Sequence, residues 1–461
     1  MPEIGVSESR MHNMALCLSL AVWMSLAQGD FDRPPKLDFK NHVDYIDWVN
    51  RLVAQGKGPN GWSKYDGFVP KRNAKGEMSG GLPALDDETE NQCRARKGIW
   101  QEADFPELAA CIKSNQKFLD IAAKASESKD AWEPIDKDTR TLMEALLPYL
   151  SGFRSACKLM HARAWLKQSN QTSALDKTHR AVLRMACHVG QSPFLISGLV
   201  SLAMRSSVYG SVRAALKTDL LKGPDFADWY RGLESTDPGP TNWRHQVLTE
   251  WAIELDAVQF AFPSGKPSTH NIKSLVQLAQ SEDKPASPKV IDALAASNPQ
   301  SAAATLDAFF ETLLDATKGP IRWSRVDIIN QTHDQYDKRL KADPIADWLA
   351  PSLTRAYQLR VRAESEVRGT LLTLAILAHK DKHKEWPKSL DAIDAKLDLK
   401  DLKTNKIDPM TGKQFHYEVK DGEATLYSFG EDGKDDGGQH DEKFGETSGS
   451  GDFVFWSPPK E

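Results

Sequence analysis

The sequence has no run of the roughly 20 apolar residues that would cross a bilayer as a helix. It has no H-E-x-x-H, Walker A, G-x-S-x-G or dinucleotide glycine pattern, and no fixed repeat of solenoid length. The first absence predicts no transmembrane span. The second removes the common zinc-protease, NTPase and serine-hydrolase signatures, though not enzymes whose sites assemble from scattered residues. Basic residues form no stripe with interleaved aromatics, so nucleic acid is not an expected partner. Cysteine is scarce, at five in 461 residues. One of these, Cys17, lies in an apolar N-terminal run, which leaves Cys93, Cys111, Cys157 and Cys187. In an oxidising compartment those four allow two bridges in three connectivities. Four thiols in the core is the other reading.

What is present is a globular composition, 40% apolar and 27% charged with a net charge of −5. That length exceeds one ordinary core and predicts two or three domains. Met14–Ala27 is apolar and is followed by Gln28-Gly29-Asp30, the pattern of a secretory signal peptide over residues 1–29. Ala27 and Gly29 stand at −3 and −1, and a buried N-terminal helix is the alternative. The expected location is therefore the periplasm or cell envelope, or outside the cell.

Residues 30–353 read as a helical body, with a loop-rich lead-in over 30–100. Pro34-Pro35 excludes helix there, and apolar spacing predicts a helix over His42–Ala54. Gly56–Leu85 is a long loop anchored by Trp62, Tyr65 and Phe68, aromatics that read first as core packing, with lining of a groove as the alternative. Helical patterns follow over Pro106–Ala125, Asp138–Leu150, Phe153–Gln168, Ser173–Val189, Phe194–Leu216, Phe226–Leu233 and Asn242–Phe260. Further ones cover Asn271–Ala279, Pro288–Ala296, Ser301–Thr317, Ile321–Ala342 and Pro344–Lys384, the last stopped by Trp386-Pro387. Short connections predict antiparallel neighbours. After Pro409 the period becomes two: Phe415–Val419, a turn at Asp421-Gly422, then Ala424–Phe429 and Asp452–Trp456. The expected fold is mainly α, a multi-helix body followed over 354–461 by a small α+β module of one long helix and a three-stranded antiparallel sheet.

Several ligand patterns are incomplete. Met185-Ala186-Cys187-His188 lacks the first cysteine of a haem attachment site. His379 and His383 share a helix face near its end, where a solvated pair suits the helix dipole. His245, Glu250 and Glu254 share one helix without metal-site spacing and read as a surface face.

The acidic tail is richer. From Glu431 to Asp452 there are eight acidic residues against two lysines. Calcium takes about six to eight hard oxygens from carboxylates, carbonyls and water. Asp432, Asp435, Asp436, Asp452 and Ser428 carry such oxygens. Gly430, Gly433, Gly437 and Gly438 let the backbone turn its carbonyls inward. An EF-hand does not fit, since Lys434 and Lys443 occupy ligand positions. A solvated loop is the alternative.

The order of parts is also familiar: the helix ending at Trp386-Pro387, the Ser389-Leu390 turn, Asp408-Pro409-Met410-Thr411-Gly412-Lys413, Leu426-Tyr427-Ser428 with Gly430, Asp432-Gly433-Lys434, and Gly451-Asp452-Phe453-Val454-Phe455. About the last fifth of the chain thereby resembles the C-terminal globular domain of the major pseudopilins of type II secretion systems. It also resembles the tail of a group of exported bacterial proteins with a helical body. In pseudopilins this loop binds calcium. The resemblance implies Asp432 and Asp452 as first ligands, Ser428 and Asp435 next, and Asp436 beyond them. Pseudopilins feed the module from an apolar pilus helix, whereas the helix here carries Arg362, Glu364, Glu366 and Arg368. Only the fold of the tail carries over. The expected function is an exported, non-enzymatic binding or structural protein with a calcium-pinned tail, whose partner is an envelope ligand or protein. An exported hydrolase with its site in the body, or under the Gly56–Leu85 loop, is the second expectation. A secretion-system component is the third.

Intact-mass measurement of the exported chain is expected to place the mature N-terminus between Ala27 and Asp30; an uncut cytoplasmic chain would remove the export expectation.

Overall fold

The structure, a computed structural model, describes residues 31–72, 78–95, 98–145, 147–223, 225–237, 239, 241–279, 286–444 and 451–457. The signal-peptide expectation over 1–29 lies outside the described residues.

The lead-in holds helix α1 (Tyr45–Ala54), whose first turn is capped by the Asp44 carboxylate accepting from Asp47 N at 2.8 Å. A single 3-10 turn (Trp62–Tyr65) and a two-residue hairpin, β1 (Lys71–Arg72) with β2 (Met78–Ser79), interrupt the expected loop. Helix α2 (Asp87–Ala95) follows. The expected Pro106–Ala125 helix is two, α3 (Pro106–Ser114) and α4 (Gln116–Ala125). Asn115 breaks it by turning its side-chain amide onto Cys111 O, the local competition that disfavours Asn inside helices.

The expected Asp138–Leu150 helix is not formed. Among the described residues of that stretch before Tyr149, a 3-10 turn at Leu142–Glu144 is all that forms. Two forces defeat it. Asp256 Oδ2 accepts from Thr141 Oγ1 and Leu142 N at 2.8 and 2.7 Å, fixing the chain extended. Pro148 also disfavours helix in the residue before it.

The body then runs through α5 (Tyr149–Trp165), α6 (Gln171–Gln191), α7 (Leu195–Lys217), α8 (Asp225–Thr236), α9 (Trp243–Ala261) and α10 (Thr269–Leu278). Next come α11 (Pro288–Ala295), α12 (Pro299–Ala316), α13 (Ser324–Lys341) and α14 (Pro344–Leu349). Pro288, Pro299 and Pro344 each sit in a first turn, where the missing N–H costs nothing. Pro351 splits the expected Pro344–Lys384 stretch, so α15 begins at Thr354 and runs to His383. It ends on Lys384 in the left-handed region (φ 61°). Helix α7 is long and apolar enough to cross a membrane by length and composition only; 61% of that window is buried inside the fold.

Helices α5, α6 and α7 pack as successive neighbours, and α15 lies against α7 and α8. Helix α9 lies against α1, α7 and α12. After a short helix α16 (Leu402–Asn405), β3 (His416–Lys420), β4 (Glu423–Ser428) and β5 (Phe453–Trp456) form an antiparallel sheet in that order. Asp421 and Gly422, both at positive φ, make the two-residue turn between β3 and β4. Helix α15 also packs on β4 and β5, so it is shared by body and module. The contact is close: a Cβ on Gly369 would lie 2.4 Å from the Phe455 ring. Buried side chains from both parts form one contiguous core.

An ionic network threads that core. Arg205 on α7, with a side chain 1% exposed, holds Asp237 through two bonds of 2.8 and 2.9 Å. Tyr209 donates to the same carboxylate at 2.7 Å, and Glu364 on α15 lies 3.9 Å from the guanidinium. Arg368 pairs with Glu364 at 2.8 Å, Arg213 with Glu366 at 3.0 Å, and Arg362 with Glu431 of the module. Removing one partner of such a pair strands the other as a buried charge. Asp237→Ala is expected to cost about 3–5 kcal/mol in denaturant unfolding; a loss typical of a surface pair would show that the network carries no stability.

Candidate functional site

A cleft of about 860 Å³ opens between the lead-in, the segment 133–148 and the start of α7. The three loop aromatics do not all line it. Tyr65 and Phe68 are fully buried, packed on Phe153, and Tyr65 Oη lies 2.7 Å from His188 Nδ1. They anchor the loop. Trp62 alone reaches the cleft, its ring stacked 5.9 Å from Phe153 and edge-on to Tyr149. Met78 and Leu278, both large and exposed, stand at the rim.

The cleft's chemistry centres on Glu133. Burial pushes its carboxyl up to about 7. Its Oε2 is buried without a hydrogen-bond partner. The lining cations are engaged elsewhere, Lys71 with Asp66 at 3.0 Å and Arg140 with Glu144. Glu133 is therefore a carboxyl close to half-protonated at neutral pH, able to donate or accept one proton. Sequence patterning missed it because it stands in a Trp-Glu-Pro segment with no periodicity.

The polar residues of α9 are not a surface face. Glu254 is 5% exposed, and its Oε2 has no partner. Burial first, and then repulsion from Glu250, raise its pKa well above the usual carboxylate range. Burial pushes Glu250 up to about 7, while Leu195 N donates to it at 3.4 Å. Asp256 is raised to about 6, again by burial. These groups face inward because α9 is enclosed by α1, α7 and α12, and of the three Glu254 is the one held neutral. His188 is buried and hydrogen-bonded to Ser128 O, not placed for haem. His379 is buried too: its Nδ1 accepts from Asp394 N at 3.0 Å, while His383 pairs with the Asp394 carboxylate at 2.9 Å. The pair is thus a cap for the 394 turn, only half in solvent. Cys93, Cys111, Cys157 and Cys187 are thiols.

The C-terminal loop brings some of its expected ligands together. Asp452 is fully buried; its Oδ2 accepts from Asp436 N at 3.1 Å and Gly438 N at 2.7 Å, and its Oδ1 is left without a partner. Burial pushes it up to about 6, and Asp435 and Asp436 lie near enough to add to that. Asp436 accepts from Gly451 N at 2.6 Å, and Asp435 from Tyr427 Oη and Gly437 N, both at 2.9 Å. The other two stand apart. Ser428 donates to Asp408 Oδ2 at 2.7 Å, and Asp432 accepts from Lys434 N at 3.0 Å. Among the described residues no three His, Cys, Asp or Glu side chains form a group that would hold a metal ion. The donor set therefore fits calcium in part: one orphaned, buried oxygen with two carboxylates beside it. Backbone N–H groups already take up much of the loop's negative charge.

A raised carboxyl pKa means that the folded state holds a proton the unfolded chain releases. That stabilisation is complete below the unfolded value of about 4.3 and is lost as pH rises through about 7. Glu133→Gln is therefore expected to gain melting temperature relative to the wild type between acidic and neutral pH, and to hold a constant difference at higher pH. A pH-independent difference would contradict the buried state of Glu133.

No protein-family model, no curated protein and no solved structure matches the chain.

Proposed function

We propose that the protein is an exported ligand-binding protein of the cell envelope, receiving its ligand in the cleft beside Trp62 and Glu133. The observation that carries this reading is the unpartnered Oε2 of Glu133 at a cleft of about 860 Å³. A desolvated polar atom without a partner costs stability. A ligand that hydrogen-bonds it recovers that cost, and the Trp62 ring supplies apolar contact. A thermal-shift screen of envelope sugars and short peptides is expected to find stabilisers whose effect Trp62→Ala with Glu133→Ala abolishes. If every stabiliser acts equally on that double variant, the cleft is not the site.

The raised pKa of Glu133 also favours the second reading, a hydrolase in which this residue is the general acid. Turnover with a pH limb near 7 that Glu133→Gln removes, with ligand binding kept, would select it over simple binding. A secretion-system role would require the chain to co-purify with secretion machinery.

The tail is proposed to be pinned by calcium at Asp452, with Asp435 and Asp436 beside it. When bound, the ion supplies positive charge to carboxylates that otherwise rely on backbone N–H groups. Asp452 and Asp436 tie the Gly430–Gly438 turn to the start of β5, whether or not an ion is bound. Calcium is expected to raise the melting temperature over chelator, and Asp435→Ala with Asp452→Ala to abolish the gain; superimposable curves would sink the calcium reading.

A further inference from the structure

A second cavity, of about 280 Å³, lies between the end of α6, the start of α9 and the chain just after α1. Lys57, Cys187, Thr241 and His245 reach its wall. The Lys57 amine is fixed from two sides. Nζ donates to Gln191 O at 3.2 Å and lies 4.9 Å from the centre of the Trp132 ring. Gln191 is itself held, donating to Asp130 Oδ1 and accepting from Ala131 N. The neighbouring carboxylate is already engaged, with Asp130 Oδ2 accepting from Gly58 N at 3.0 Å. The amine therefore faces a carbonyl and a ring rather than a paired carboxylate.

Capping the last carbonyl of α6 accounts for one of its N–H groups. It does not account for the cavity or for the groups beside it. Burial pushes Lys57 down to about 8, so an appreciable share is free amine near neutral pH. Burial likewise pushes His245 down to about 4, leaving a neutral imidazole. Thr241 Oγ1 is buried without a hydrogen bond. Burial raises the Cys187 pKa, so its thiol stays protonated and does not compete as a nucleophile.

We propose that this cavity is a carbonyl-binding site in which Lys57 forms an imine with a small aldehyde or ketone. The amine lone pair attacks the carbonyl carbon, and the displaced pair on oxygen takes a proton. The nitrogen loses a proton to give the carbinolamine. Loss of the hydroxyl with a proton, as water, and of the second amine proton leaves the C=N bond. One water is released, and no oxidant or reductant enters. His245, which lines the same cavity, is the group assigned to move protons between the nitrogen and the oxygen.

The test uses the full wild-type chain with pyridoxal and sodium cyanoborohydride, which reduces the imine to a stable secondary amine. Peptide mass spectrometry then reads each lysine's labelling rate against pH. Lys57 is expected to label at least about tenfold faster than exposed Lys413 near neutral pH, with a midpoint near 8 rather than the usual value of about 10.4. His245→Gln should slow labelling at Lys57 without moving that midpoint. Labelling of Lys57 no faster than that of Lys413, or only at the pH of ordinary lysines, overturns the site. An unchanged rate in His245→Gln overturns the proton-transfer role alone. Because the main comparison is made within the wild type, it does not depend on any variant folding.

Discussion

The fold depends on keeping a fully desolvated guanidinium satisfied. Arg205 sits where three helices meet, and its two bonds to Asp237 fix the segment after α8 against α7. Glu364 brings α15 into the same network, and Arg368 then secures Glu364. Charge buried in this way contributes little net stability, but it penalises any other arrangement of the helices heavily. The apolar faces of α7 and α15 would tolerate sliding; the ion pairs do not. The C-terminal module inherits that fixed position, because Arg362 and Glu366 of the same helix reach Glu431 and Arg213.

Both cavities follow from one pairing of irregular segments. Residues 57–62 run beside residues 130–133, held by Gly58 N and Gly61 N on Asp130 and by Asn60 Nδ2 on Trp132 O. Lys57 and Trp132 meet by the small cavity. Trp62 and Glu133 line the large cleft. A segment without regular structure can serve two cavities within a few residues. A helix would have spread them around a cylinder.

That arrangement also explains what the sequence could and could not disclose. The helices of the body and the three C-terminal strands were legible from apolar spacing, from first-turn prolines and from the Asp421-Gly422 turn. The Leu142–Leu150 run misled because its apolar spacing is helical, while Asp256, more than a hundred residues away, claims its backbone N–H. Glu250 and Glu254 misled for a related reason. Polar spacing on α9 looks like a solvent face unless one knows that α1, α7 and α12 surround it. Glu133 and Lys57 gave no signal because burial alone shifts them, and burial is a property of the assembled chain. In the acidic tail, residue types were readable, but the turning of Ser428 to Asp408 was not.

The lead-in is joined to parts of the chain that are made much later. Arg33 pairs with Asp307 and Glu311, Val43 exchanges two hydrogen bonds with Gln259, and Arg244 holds Asp32. Closing such distant contacts carries an entropy cost that local helices do not bear. As the chain emerges N-terminus first, Tyr65 and Phe68 can settle on Phe153 of α5, while Arg33 finds its partners only when α12 has followed. The lead-in is thus held along several later helices, and it carries both Lys57 and Trp62. Neither cavity has its walls until the lead-in has packed against the chain that follows it, so any binding chemistry they perform waits on the folded body.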